Sequence, residues 1–308
     1  MVDLKITLPE GFLEQEERCG YVIPAWMKQV WAVELDLLAE FQRVCEEHQL
    51  EWFPEAGTLL GAVRHQGFIP WDDDIDVMMK RADYNRLCEI ADQAFSHPYF
   101  FQTEYSDPGS LRGHAQLRNS NTAAFSPTEI KRGYGYNKGI FIDVFPYDNV
   151  PDDPKERRHF LHQLKKAKHK MREHARWTSR FEPNNTSPTW MVRRAIRWWR
   201  QRQGIADTSY RDFEALAAKY NHQDTEELGL IIFKPATTTC IYRRHDYDDK
   251  QLMPFEMLQI PVPLGYDNIL TRTYGNWHEF VRGGGYHGGL HFDTDHSYKD
   301  YEKGNKQL

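Results

Sequence analysis

The sequence predicts an α/β fold of the α+β kind, a mixed sheet of about five strands flanked by helices, with a basic helical insertion. Three observations carry that expectation. Helix-period apolar stretches alternate with short runs rich in Val, Ile, Phe and Tyr. Acidic residues cluster where one such run begins, in EAGTLLGAVRHQGFIPWDDDIDVMM from Glu55 to Met79. Between Lys155 and Arg202 there are 15 Lys and Arg against three acids, a net of +12 in a chain of overall charge −6, so the remainder carries −18.

Residues 1–25 read as an irregular lead-in. Trp26 to His48 has Val30, Val33, Leu37, Leu38, Phe41 and Val44 at helical spacing. Leu50 to Phe53 is a short strand stopped by Pro54. A glycine turn then opens a helix from Gly57 to Gln66, and Ile75 to Met79 is the next strand. On it Asp74 and Asp76 share one side while Ile75 and Val77 face the core. Asp83 to Phe95 is a helix. Tyr99 to Thr103, Ala115 to Arg118 and Thr122 to Phe125 are strands, and the loop from Tyr134 to Gly139 feeds a strand from Ile140 to Phe145 that Pro146 ends. Basic helices follow over Lys155–Trp177 and Trp190–Gln203, separated by Glu182–Pro188, then a helix over Asp207–Tyr220. A short strand at Pro261–Pro263, a helix from Tyr266 to Tyr274 and the Gly/His-rich stretch from Gly283 to His296 close the chain. The expected organisation is one domain over 26–300, with the insertion at about 152–222 and a tail at 301–308.

Composition bounds the function. At 40% apolar and 27% charged the chain is that of an ordinary globular protein. No run of 18 apolar residues is present, and the acidic N-terminus lacks a signal peptide's regions. Cys19, Cys45, Cys88 and Cys240 lie far apart, which suggests a reducing, cytoplasmic setting. The basic run is either a solvated face or a contact with a polyanion or an anionic membrane surface. Trp190, Trp198 and Trp199 among Arg193, Arg194, Arg197 and Arg200 favour a peripheral membrane contact at the inner face. Nucleic acid is not expected.

The acidic cluster carries the chemistry. Two carboxylates side by side do not both ionise without help, and a hard divalent ion completed by substrate phosphates supplies it. An EF-hand loop is excluded because Val77 stands where glycine is required and Asp83 where the bidentate glutamate belongs. Asp143 is an acid in an otherwise apolar strand. Alone it would be read as a salt bridge; beside an Asp-x-Asp strand it is a third ligand or a general base. In the tail, His287, His291, His296, Asp293 and Asp295 could hold a metal, though a mobile loop is the commoner reading of so glycine-rich a segment.

These residues resemble the LicD family of phosphocholine transferases, within the nucleotidyltransferase superfamily and related to the fukutin-type transferases. The resemblance rests on Glu55–Met79, Asp83-Tyr84, GIFIDVFPYDNVP and Tyr274-Gly275-Asn276-Trp277, and spans roughly 26–290. It implies that Gly57-Thr58 meets nucleotide phosphates at a helix N-terminus. It also implies that Asp74 and Asp76 are the metal pair and Asp143 the third carboxylate, with Mg²⁺ or Mn²⁺ bound. The implied reaction moves phosphocholine, or a related phospho-alcohol, from CDP-choline or another CDP-alcohol to a glycan hydroxyl. The glycan is a teichoic acid or lipopolysaccharide precursor, lipid-linked, and CMP is released. Arg64, Lys138 and Arg118 are candidates to steady the phosphates, or else structural ion pairs. Trp52, Trp71, Tyr134 and Tyr136 lie near the motifs, but no choline cage is assigned. Two alternatives stand beside this reading: a nucleotidyltransferase that moves NMP from an NTP, and a catalytically silent nucleotide-binding module.

Overall fold

The fold comes from a computed structural model, which describes residues 1–177, 186–203, 208–233, 235, 238–282 and 289–306. The elements run β1 (Glu16–Arg18), β2 (Tyr21–Ile23), α1 (Ala25–Glu47), β3 (Phe53–Pro54), α2 (Ala56–His65), β4 (Asp76–Lys80) and α3 (Arg81–Ala94). They continue with β5 (Tyr99–Gln102), β6 (Ala115–Asn119), β7 (Ala123–Phe125), α4 (Pro127–Arg132) and β8 (Ile140–Val150). The insertion holds α5 (Pro154–Trp177), α6 (Pro188–Arg202) and α7 (Ser209–Ala217). Then come β9 (Glu227–Gly229), β10 (Ile241–Arg243), β11 (Lys250–Phe255), β12 (Leu258–Pro263), α8 (Tyr266–Tyr274), β13 (His291–Asp293) and α9 (Tyr298–Glu302).

The α/β expectation holds, with a sheet of seven strands among the described residues rather than five, in the order β10-β9-β8-β4-β3 with β6 paired to β8 and β5 to β6. Among the described residues of this sheet, β4 and β8 pair in parallel and the other ladders are antiparallel. β8 is the spine, and its residues are buried along almost its whole length, as both faces of the sheet are covered. The core gathers Trp31, Leu38 and Phe41 of α1, Leu59 of α2, Val77 and Met78 of β4, and Ile142 and Val144 of β8. A second core, with Phe160, Leu164 and Met171 of α5, Phe213 of α7 and Ile232, seats the insertion.

Pro146 does not end its strand. It falls between Val144, the last residue of β8 paired with β6, and Asp148, the first paired with β9. In that gap neither antiparallel neighbour needs an N–H from it. The strand expected at Leu50–Phe53 is Phe53–Pro54; Pro54 is accommodated because β3 is an edge strand. The lead-in contains the β1–β2 hairpin, and Lys5 and Ile6 donate backbone N–H bonds to Asp36 of α1. Helix α4 has no counterpart in the sequence reading, although Ser126 and Glu129 form a full capping box around it. The Glu182–Pro188 loop lies largely outside the described residues.

Candidate active site

The first turn of α2 and the start of β4 are locked together. Glu55 caps α2 in an extended conformation, and its N–H donates to the Asp76 carbonyl at 2.9 Å. Thr58 Oγ1 accepts the Asp76 N–H at 2.8 Å. Asp76 is thereby held at both ends of its backbone by one helical turn. Thr58 is buried and spends its hydroxyl on this clamp. Gly57 serves a different end: a Cβ there would lie 2.5 Å from Asp72 Oδ2, so only glycine lets that carboxylate approach the helix start.

Asp76 of β4 stands directly opposite Asp143 of β8, which puts both carboxylates on one face of the sheet. Asp74 stands two residues before Asp76, and Asp72, Asp73 and Asp74 can bring one oxygen each within 4.8 Å of one another. The Asp76 carboxyl is pushed well above the usual range by burial, then by Asp74, Asp143, Asp72 and Glu55. Asp72 is raised too, by burial and by repulsion from and hydrogen bonding to Asp74. Buried Glu34, beneath the loop on α1, is raised by burial and then by Asp74, Asp73, Asp72 and Asp76. A row of buried and half-buried carboxylates repelling one another is the donor set a hard divalent cation fits.

Asp143 is treated differently. Although burial opposes its ionisation, His114 and Gln116 pull its carboxyl below the usual value. His114 Nε2 lies 3.1 Å from Asp143 Oδ1, and a carboxylate only accepts, so that nitrogen carries the proton. Gln116 Nε2 donates to the same oxygen at 2.6 Å. Arg118 Nη2 donates in turn to Gln116 Oε1. Both neighbours come from the approach to β6 or from β6 itself, where Gln116 pairs across to Asp143. His114 is wedged between Phe145 and Phe233.

Beside the carboxylate row opens a cavity of about 430 Å³. Gly57, Leu60 and Arg64 line it along one face of α2, Asp72 and Asp74 form its acidic end, and Trp71, Tyr274 and Trp277 supply aromatic walls. Arg64 is set there by the carbonyls of Trp277 and Glu279, to which Nη1 donates at 2.7 and 3.1 Å.

The structure brings together Asp74, Asp76, Asp143, Gly57 and Thr58, with Arg64 on the cavity wall. Lys138 and Arg118 do not line it. Lys138 Nζ donates to the carbonyls of Tyr134 and Tyr136 and pairs with Glu302 of α9, which makes it a tie between the loop before β8 and helix α9. Arg118 is buried behind Gln116 and also donates to Gln102 and to the Gly139 carbonyl; its reach to the site is indirect. Tyr134 and Tyr136 stack on each other, away from the cavity lining. In the tail, Asp293, Asp295 and His296 do cluster, His291 meets Tyr301 instead, and His287 lies outside the described residues.

Residues 49–178 match the family described as LicD/FKTN/FKRP, nucleotidyltransferase domain. The chain carries a LicD-family domain. It is 28% identical over 251 residues to the lipopolysaccharide cholinephosphotransferase LicD of Haemophilus influenzae, covering 79% of this chain and 88% of that one. An uncharacterized protein of Rickettsia prowazekii is 40% identical over 132 residues, 43% of this chain and 45% of its own. The LicD match begins just before β3 and takes in α2, β4, Asp143 and the residues that hold it.

Proposed function

We propose that this protein transfers phosphocholine from CDP-choline to a hydroxyl of a cell-surface glycan precursor, releasing CMP. The observation that carries the reading is the placement of Asp76 opposite Asp143 with Asp74 alongside, in a chain similar to a lipopolysaccharide cholinephosphotransferase. Asp74, Asp76 and Asp143 would hold Mg²⁺ or Mn²⁺, which supplies charge neutralisation to the attacked phosphorus and the departing oxygen. Asp143, kept ionised by His114 and Gln116, takes the acceptor hydroxyl's proton. In-line attack from its side sends CMP the opposite way, toward the cavity whose lining includes Asp72 and Asp74 but not Asp143. Trp71, Tyr274 and Trp277 then face the nucleoside, and Arg64 stands on the same wall. We read the reaction as cytoplasmic, with a lipid-linked acceptor met at the inner membrane face.

The test is incubation with CDP-choline, CDP-ethanolamine, CDP-glycerol and CDP-ribitol, with Mg²⁺ and a lipid-linked glycan extract, assayed for CMP and for labelled glycan. CMP release from CDP-choline that stops with chelator is the expected result. No CMP from any donor, or pyrophosphate release from an NTP by the same acids, would overturn it.

A further inference from the structure

Helix α6 is built the wrong way round for a helix that packs. Met191, Val192, Ile196, Trp198 and Trp199 are 62, 55, 38, 55 and 54% exposed. At about 100° per residue they fall, with exposed Ala195, on one side of the helix. Trp190, which is buried, and the half-buried Arg193, Arg197 and Arg200 lie on the other. The apolar side faces out and the arginine side faces the body, the reverse of an ordinary surface helix. Its neighbour shows the ordinary arrangement: Phe160, Leu161, Leu164 and Met171 of α5 are buried, while Lys165, Lys166, Lys170 and Arg172 are exposed.

Charge decides what the exposed face meets. On α6 itself Arg194 and Arg202 are exposed, and the neighbouring α5, which contacts α6, carries further exposed lysines and arginines, in a region of net +12. An anionic bilayer offers an apolar layer for the face and negative headgroups for the cations at the same depth. Tryptophan suits that boundary. The Arg202 guanidinium lies 4.3 Å from the Trp198 ring centre, a pairing that lets the charge reach toward headgroups while its stem stays on apolar surface. No described helix is long and apolar enough to cross a membrane, so the contact is one of lying on the surface. We propose that α6 is an interfacial helix, seated apolar side down on an anionic lipid surface.

This inference is independent of the phosphocholine reading, and its test uses no substrate. The full chain is sedimented with vesicles of phosphatidylcholine plus phosphatidylglycerol, and with phosphatidylcholine alone. Binding is expected with the anionic vesicles, weakening as salt rises, with tryptophan emission shifting to the blue. The double variant Ile196→Asp, Trp199→Ala should bind roughly tenfold or more weakly, with its melting temperature unchanged because both side chains are exposed. Protein left in the supernatant with anionic vesicles at low salt overturns the proposal, as does a double variant that binds like the parent. A variant that melts lower or changes its elution volume overturns it as well, since the face would then be packed against protein. Vesicle binding without CMP release would leave this inference standing and remove the other.

Discussion

Among the described residues two carboxylate clusters have the composition of a metal site, and they are built on opposite principles. At the C-terminal end Asp293 accepts hydrogen bonds from Tyr301 Oη, the Asp295 and His296 backbone amides and Lys306 Nζ. Its carboxyl is held far below the usual range by those donors, against a burial effect of opposite sign. Asp295 pairs with the N-terminal ammonium. On the sheet, by contrast, the leading influences on Asp76 are burial and four other acids, and all push its carboxyl upward. One cluster is neutralised by the chain's own donors and cations. The other concentrates negative charge in a partly dry place, which is stable only when something from outside neutralises it. Spacing of acids along a sequence does not separate the two cases; the donors around them do.

The comparison breaks first at the sheet. Asp76→Asn and Asp143→Asn should each lower transfer on the order of 10³-fold, as expected when several kcal/mol of transition-state charge stabilisation is lost. Asp76→Asn should fold as well as the parent or better, because it relieves repulsion. Mg²⁺ should raise the parent's melting temperature and leave that of Asp76→Asn in place, as binding to the native state alone stabilises it. Near-parental turnover in either variant removes the ligand role. A smaller effect is expected one layer out. His114→Ala should weaken Mg²⁺ affinity or kcat by about 10–100-fold, the usual cost of losing a partner that orients a ligand. Titration calorimetry with Mg²⁺ alone separates loss of positioning from loss of fold.

Much of the carboxylate row was legible in the sequence because the residues that build it are near one another or are marked by contrast. Asp74 and Asp76 lie two residues apart, Asp74 just before β4 and Asp76 at its first position, and Asp143 stands out as an acid among apolar residues. What holds Asp143 was not legible. Gln116 reaches it through the β6–β8 register, a long-range pairing that no local pattern encodes. For Lys138 and Arg118 the choice between phosphate contact and structural tie was not legible for the same reason: they are basic and near the motifs, and their partners are carbonyls, Gln102, Gln116 and the distant Glu302. Glu34 did carry a signal, since it follows Val30 by four residues and precedes Phe41 by seven, on the apolar stripe of α1. An acid at a core position was the mark of the acidic loop above it. Ser126 and Glu129 were likewise a readable capping pair. The sheet gained strands because β9 and β10 are only three residues each, and short strands leave little periodicity to read.

The smallest effect tests the satisfied cluster. Asp293→Asn removes the acceptor charge that Tyr301, Lys306 and two backbone amides share, and it should cost about 1 kcal/mol once solvent screening is allowed for. The sign of its pH dependence follows from the lowered carboxyl. A carboxylate whose pKa is depressed by folding contributes its stability in full above its unfolded pKa of about 3.9 and loses it as pH falls toward the folded value. The stability difference between parent and variant, read by urea unfolding, should therefore be constant near neutrality and shrink in acid. Transfer activity and Mg²⁺ stabilisation should be those of the parent. A variant that lost Mg²⁺ stabilisation would show that the C-terminal cluster binds the ion after all, and that internal donors do not disqualify a carboxylate cluster in this fold.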